Sequence, residues 1–197
     1  MGFFISSWAG RIVLLFGGGV VVVAGAAAVI LGLAVTGGPG ECTPGGGPIV
    51  VSAANAESFQ QKWDVFDAAL DGGSSATVTF DESELTSRAN TWIEEEETDF
   101  QEVQICIHEG YGEATASLDL PGFIDTKIKV TGRVELTGGH PVADIDDMEI
   151  GNVPGPALGV FEGLAEDAID EALNKIDVEH SYVITLTEGS AKIDGLP

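Results

Sequence analysis

The feature that most constrains this chain is the stretch from Ile12 to Val35, which carries no charged, amide or hydroxyl side chain. At about 1.5 Å per residue it would make a helix of roughly 36 Å, longer than a hydrocarbon core of about 30 Å. Gly17, Gly18 and Gly19 in succession would each destabilise a soluble helix by about 1 kcal/mol relative to alanine, whereas in lipid the backbone has no partner but itself. The run therefore predicts a transmembrane helix over residues 12–36. A cleaved signal has an apolar region of only about 7–15 residues. Lipoprotein processing at Cys42 would meet Gly40-Glu41 where small apolar residues are needed. Arg11 on one side and Glu41 on the other predict a short cytoplasmic tail, 1–11, and a body outside the cytoplasm. The expected location is the cell membrane, crossed once, with the C-terminal domain outside.

Residues 37–48, GGPGECTPGGGP, hold no apolar side chain to pack and read as a flexible tether. The remainder, 49–197, is about the usual size of one domain. The chain has 32 acidic and 8 basic residues, a formal net charge of −24, nearly all of it beyond the apolar run. Such a surface repels phosphate backbones and anionic headgroups, which excludes nucleic acid as a partner and leaves neutral, cationic or apolar ones. The acidity reads as a solvated surface, in a saline habitat or otherwise, with a cation-binding role as the alternative; Glu94 to Glu97 with Asp99 could hold Ca²⁺ loosely but lacks the alternating ligand spacing of a calcium loop. Cys42 and Cys106 are the only cysteines. In an exported body they are expected to join, stapling tether to domain, with an intermolecular bond or a free thiol as alternatives. Val103, Ile105 and Ile107 alternate, which puts Cys106 on the opposite, wetter face of that strand.

Along the body, Phe59, Trp63, Phe66 and Leu70 follow Asn55, a fair N-cap, at helical spacing and stop at Gly72-Gly73. Ala76, Val78 and Phe80 make a short strand. Asp81 or Ser83 caps a second helix, whose Leu85, Ala89, Trp92 and Ile93 share a face. Alternation then predicts an antiparallel meander: 103–107, 114–120, 124–136 and 142–150. Gly132 on an apolar row suggests a bend, and a phase shift near Asp146-Asp147 suggests a bulge. Pro154-Gly155-Pro156 opens a long amphipathic helix through Ile176, and two short strands close the chain around Glu188-Gly189.

No nucleophile elbow, phosphate-binding loop, HExxH or CxxC occurs, and no cofactor is implied. His108, His140 and His180 stand on separate elements. His140 with Asp144, Asp146 and Asp147 reads as a turn beside acidic surface, so no metal site is expected. Asp146 and Asp147 are adjacent in a strand, point to opposite faces and cannot act as one catalytic pair. The expectation is a protein without catalytic activity.

The order of three segments carries a resemblance. VTFDESELTSRANTWI (Val78 to Ile93), MEIGNVPGPALGVFEGLAEDAIDEALNKI (Met148 to Ile176) and YVITLTEGSAKIDG (Tyr182 to Gly195) resemble small membrane-anchored bacterial envelope proteins of the TULIP-like kind, over roughly Ser74 to Gly195. The resemblance implies an α+β fold, a curved antiparallel meander wrapped around the long amphipathic helix, behind one N-terminal transmembrane helix. It also implies an apolar groove for an acyl chain or similar lipid. The lining residues would be Leu85, Trp92 and Ile93, then Leu118, Leu120, Ile128, Val130 and Val134, then Phe161, Leu164 and Ala168. For any one of them the plainer reading is ordinary core. Alanines at 165, 168 and 172 would leave room between helix and sheet, or simply bring the layers closer. Three functions follow as expectations: a lipid-binding or lipid-carrying module, an envelope scaffold with a solid core and an unknown protein partner, or, from the acidity alone, a calcium-assisted surface module.

Overall fold

A computed structural model of the chain describes residues 38–95, 100–118, 126–137, 140–151 and 180–197. In order these form α1 (Ala53–Asp71), β1 (Ala76–Asp81), α2 (Glu82–Glu95), β2 (Phe100–His108), β3 (Tyr111–Leu118), β4 (Thr126–Thr137), β5 (His140–Ile150), β6 (Ser181–Thr187) and β7 (Ser190–Leu196).

The expected architecture is corrected on two counts. The strands do not make one sheet: they form two antiparallel sheets, of order β1-β7-β6 and β2-β3-β4-β5. The fold is α+β with strands predominating. Among the described residues no helix is long and apolar enough to cross a membrane. The apolar run 12–35 and the long helix expected over 156–176 lie outside the described residues.

The smaller sheet is built on α1. Phe59, Trp63, Phe66 and Leu70 recur every three or four residues and are all 2 % exposed or less. They bear on all three strands: Phe59 stacks on Phe80 with ring centroids 4.2 Å apart, Trp63 and Phe66 pack beside Tyr182, and Phe66 and Leu70 lie against Gly195. Each such side chain, fully buried, stabilises the fold by roughly 1.5–3 kcal/mol. The helix starts earlier than Asn55. Ser52 is its N-cap, accepting from the Asn55 amide at 3.2 Å, and the Asn55 side chain turns back to the Val50 carbonyl.

The larger sheet is the expected meander. Ile105, Ala114, Val130 and Met148 make one buried row across its four strands. The bend and the bulge are one feature: Thr131 pairs with Asp147 and Gly132 with Ile145, which leaves Asp146 as the extra residue. The backbone of β5 comes so close there that a Cβ at Gly132 would lie 2.5 Å from the Asp144 carbonyl oxygen. Gly132→Ala is therefore expected to destabilise the protein by about 1–3 kcal/mol, read from the midpoint of denaturant unfolding. An unchanged midpoint would mean that β4 and β5 are not this close.

Candidate functional site

β2 is an edge strand of the larger sheet, and its outward backbone groups need partners. They find them in α2. Glu82, Thr86 and Asn90 lie four residues apart on one helix face, a rise of about 6 Å per step, close to the roughly 6.7 Å between alternate strand residues. Asn90 accepts from the Val103 amide at 3.2 Å and donates to its carbonyl at 2.7 Å. Thr86 Oγ1 accepts from the Ile105 amide at 3.0 Å and reaches its carbonyl at 3.4 Å. Glu82 Oε1 accepts from the Ile107 amide at 2.7 Å, and the Ile107 carbonyl accepts from the Gly189 amide at 2.9 Å. From Val103 to Ile107 the edge is fully covered.

Glu82 also receives the Gly45 and Gly46 amides at 2.8 and 2.9 Å, so a carboxylate only 3 % exposed is held by three backbone N–H donors. These bonds and the Cys42–Cys106 disulfide fasten residues 38–52 across the body as a strap. Cys106 is wholly buried, because the strap covers the face of β2 that the alternation marks as wet. Further along, Val50 and Ser52 amides donate to Ser83 and Ser87 hydroxyls of α2. Gly189, at φ +76°, lies against the strap so closely that a Cβ there would fall 2.5 Å from the Gly46 nitrogen, and a Cβ at Gly46 would lie a tight 3.1 Å from Gly189 Cα.

A second acid, Glu84, joins α2 to α1. It receives Ser58 Oγ at 2.6 Å, Lys62 Nζ at 2.7 Å and the Asp81 amide at 3.1 Å, while Asp81 accepts the Glu84 amide at 2.8 Å. Asp81 and Glu84 thus form a reciprocal capping box. Burial raises the Glu84 pKa, but the bonds from Lys62, Ser58 and Asp81, with the Lys62 charge, outweigh it and hold the group below its ordinary value.

Between the strap, the C-terminal end of α2 and the outer part of β2 and β3 lies a cleft of about 690 Å³. Ile93, Val103 and Ala116 contribute its apolar floor. Asn90, Gln101, Gln104, Thr115 and Ser117 give amide and hydroxyl walls, and Glu41, Glu94, Glu102 and Lys127 stand at its margin. Glu102 has φ +52°, left-handed for a residue with a Cβ, at the irregularity between Gln101 and Gln104.

The residues expected to line a lipid groove are not gathered around an apolar cavity in the described part. Leu85, Ile93, Ile128 and Val130 are core, each 5 % exposed or less. Trp92 is partly exposed on α2. Leu118 and Val134 occupy strand positions on β3 and β4. Leu120, Phe161, Leu164 and Ala168 lie outside the described residues. The acids beside His140 serve another group: Arg133 lies 3.6 Å from Asp144 and donates to both oxygens of Asp146 at 3.1 Å. Among the described residues no cluster of His, Cys, Asp and Glu could hold a metal ion. His108 stacks on Tyr111 with Nδ1 3.3 Å from Glu188 and Nε2 3.8 Å from Glu113.

Sequence reasoning missed Glu82, Thr86 and Asn90. Their i, i+4, i+8 spacing was visible, but a polar stripe on a helix ordinarily faces water. No known family, curated protein or solved structure matches this chain, so the TULIP-like resemblance rests on the three quoted segments alone.

A group whose pKa is lowered by folding contributes stability above its unfolded pKa and loses it as pH falls through the folded value. Glu84 should therefore make unfolding free energy drop on acidification below about pH 4.5. Glu84→Gln should be less stable at neutral pH by about 1–3 kcal/mol and respond less steeply to acid. Denaturant titrations at a series of pH values check this; parallel pH profiles for the two proteins would contradict it.

Proposed function

We propose that this chain is a non-catalytic interaction module of the cell envelope, held at a membrane by the apolar stretch 12–35 and displayed outside the cytoplasm. The observation that carries the reading is the docked strap. The segment that follows the apolar stretch is fixed to the body by Cys42–Cys106 and by Glu82. A structural disulfide suits an oxidising compartment rather than the cytosol. From Val35 to Cys42 the chain can reach at most about 25 Å, so a membrane-held stretch keeps the body close to the bilayer at one fixed attachment point. That geometry suits a scaffold or docking partner better than a carrier that must travel with its cargo.

The burial of Ile128 and Val130, 2 % and 4 % exposed, favours the same choice over lipid carriage. Glu82 and Glu84, the buried acids, spend their oxygens on backbone and side-chain donors, which argues for a structural role rather than acid–base chemistry. The acidic surface favours a cationic or neutral partner.

The test is photo-crosslinking in intact membranes, with a photoreactive residue introduced into the full chain at Val65, Gln101 or Val183, which are exposed, and at Val130, which is buried. The proposal expects a discrete protein adduct from at least one exposed position and no lipid adduct from Val130. A lipid adduct at Val130, or no protein adduct from any exposed position, would overturn it.

A further inference from the structure

α2 covers the edge of the larger sheet, but the smaller sheet, of order β1-β7-β6, leaves β1 as an edge of its own. Backbone groups alternate sides along a strand. Two bonds mark the open side of β1: Lys62 Nζ donates to the Thr79 carbonyl at 3.1 Å, and the Asp81 amide donates to Glu84 at 3.1 Å. At the other edge of the sheet the Leu186 carbonyl accepts from Gly110, which fixes the same alternation through β6 and β7. Residues 76, 78 and 80 therefore turn to β7, and 77, 79 and 81 turn outward. The Thr77 N–H and C=O and the Thr79 N–H have no protein partner on that side among the described residues.

One side of α1 overhangs this open edge. Val65, which is 74 % exposed, and Ala69 line a groove of about 510 Å³ with Ala76 and Thr77 of β1. The acids of α1, namely Glu57, Asp64, Asp67 and Asp71, recur at helical spacing and share another side of the helix. The stripe beside the edge, Gln61, Val65, Ala68 and Ala69, carries no acid, in a chain with 32 acidic and 8 basic residues. Two copies of net charge −24 repel over most of their surface and can meet only on a patch of this kind. The edge is also self-complementary. Antiparallel pairing of β1 with β1 of a second copy, about a two-fold axis at Val78, sets Thr77 of each copy opposite Thr79 of the other. Each pair then exchanges two backbone bonds through the groups that are open, and Lys62 keeps Glu84, at 2.7 Å, when it yields the Thr79 carbonyl. Asp81 falls opposite Ser75, so no like charges meet across the strands.

We propose that β1 is a dimerisation edge whose occupant is a second copy of this chain, added strand to strand, with the Val65 stripes of the two α1 helices side by side over the joined sheet. The proposal rests on the interaction-module reading and names the partner. On that reading residues 12–35 hold the copies in one membrane, which raises their effective concentration.

The full chain in a density-matched neutral detergent is examined by sedimentation equilibrium at about 0.05 M and about 0.5 M salt. The proposal expects a monomer–dimer equilibrium that tightens at the higher salt, because screening removes the repulsion and leaves the backbone bonds. Val65→Asp and Gln61→Glu each place an acid on the stripe, at exposed positions where the parent melting temperature should be kept. Each should weaken the dimer about tenfold or more, whereas Val183→Asp, at the exposed valine of β6, should stay within about twofold of the parent. In the dimer, hydrogen exchange at the Thr77 and Thr79 amides should slow about tenfold or more relative to the Val65→Asp protein, with the Val78 amide unchanged because β7 already holds it. A monomer under all conditions would overturn the proposal. So would a dimer indifferent to both stripe variants, as one made by the apolar stretch would be, or fast exchange at Thr77 and Thr79 in a dimer. A crosslinked adduct at Val65 with a different protein, from a chain that is monomeric in detergent, would overturn the second copy and leave the interaction-module reading standing.

Discussion

The structure depends on covering one edge. A meander of four strands exposes the backbone of β2, and water or another chain will pair with such an edge unless the protein does so first. Here a helix does it with side chains. Glu82, Thr86 and Asn90 reach Ile107, Ile105 and Val103 in step, because one turn-and-a-bit of helix and two residues of strand advance by nearly the same distance. Leaving one of those buried groups unpaired would cost about 1–3 kcal/mol, comparable to burying a whole aliphatic side chain.

Glu82 makes that edge the meeting point of everything else. Its carboxylate ties β2 to the strap, the Ile107 carbonyl ties β2 to the β6–β7 turn, and the Gly110 amide returns a bond of 3.1 Å to Leu186. The two sheets are therefore held by backbone contacts at glycine turns as well as by packing. The disulfide acts at the same place. Closing a loop of sequence separation 64 stabilises by about 4 kcal/mol on the chain-entropy account, and it keeps the strap within reach of Glu82.

What the sequence disclosed was local. The stripe Phe59, Trp63, Phe66, Leu70, the alternation of β2 to β5, the Asp146 bulge and the closing hairpin all follow from periodicity and turn chemistry. Non-local pairing did not follow. Thr77 and Asp194 are cross-strand neighbours 117 residues apart, and a strand pattern says which face is dry without naming the strand alongside. That is why two sheets were expected as one. The strap was hidden for a related reason: glycines that look like a tether are there because Gly45 and Gly46 pass against Gly189. Of the cleft, Glu94 reads in the sequence only as part of an acidic turn, and its place opposite the irregularity of β2 needed three dimensions.

Backbone hydrogen exchange at Ile105 tests the edge-covering account most directly. Its amide has Thr86 Oγ1 as acceptor, so the Thr86→Val variant removes that acceptor while keeping the branched shape. The account predicts slow exchange in the parent and a selective acceleration at Ile105 of about tenfold or more in the variant, with amides of the β3–β4 ladder little changed. Equal, slow exchange at Ile105 in both proteins would mean that something other than α2 protects the edge.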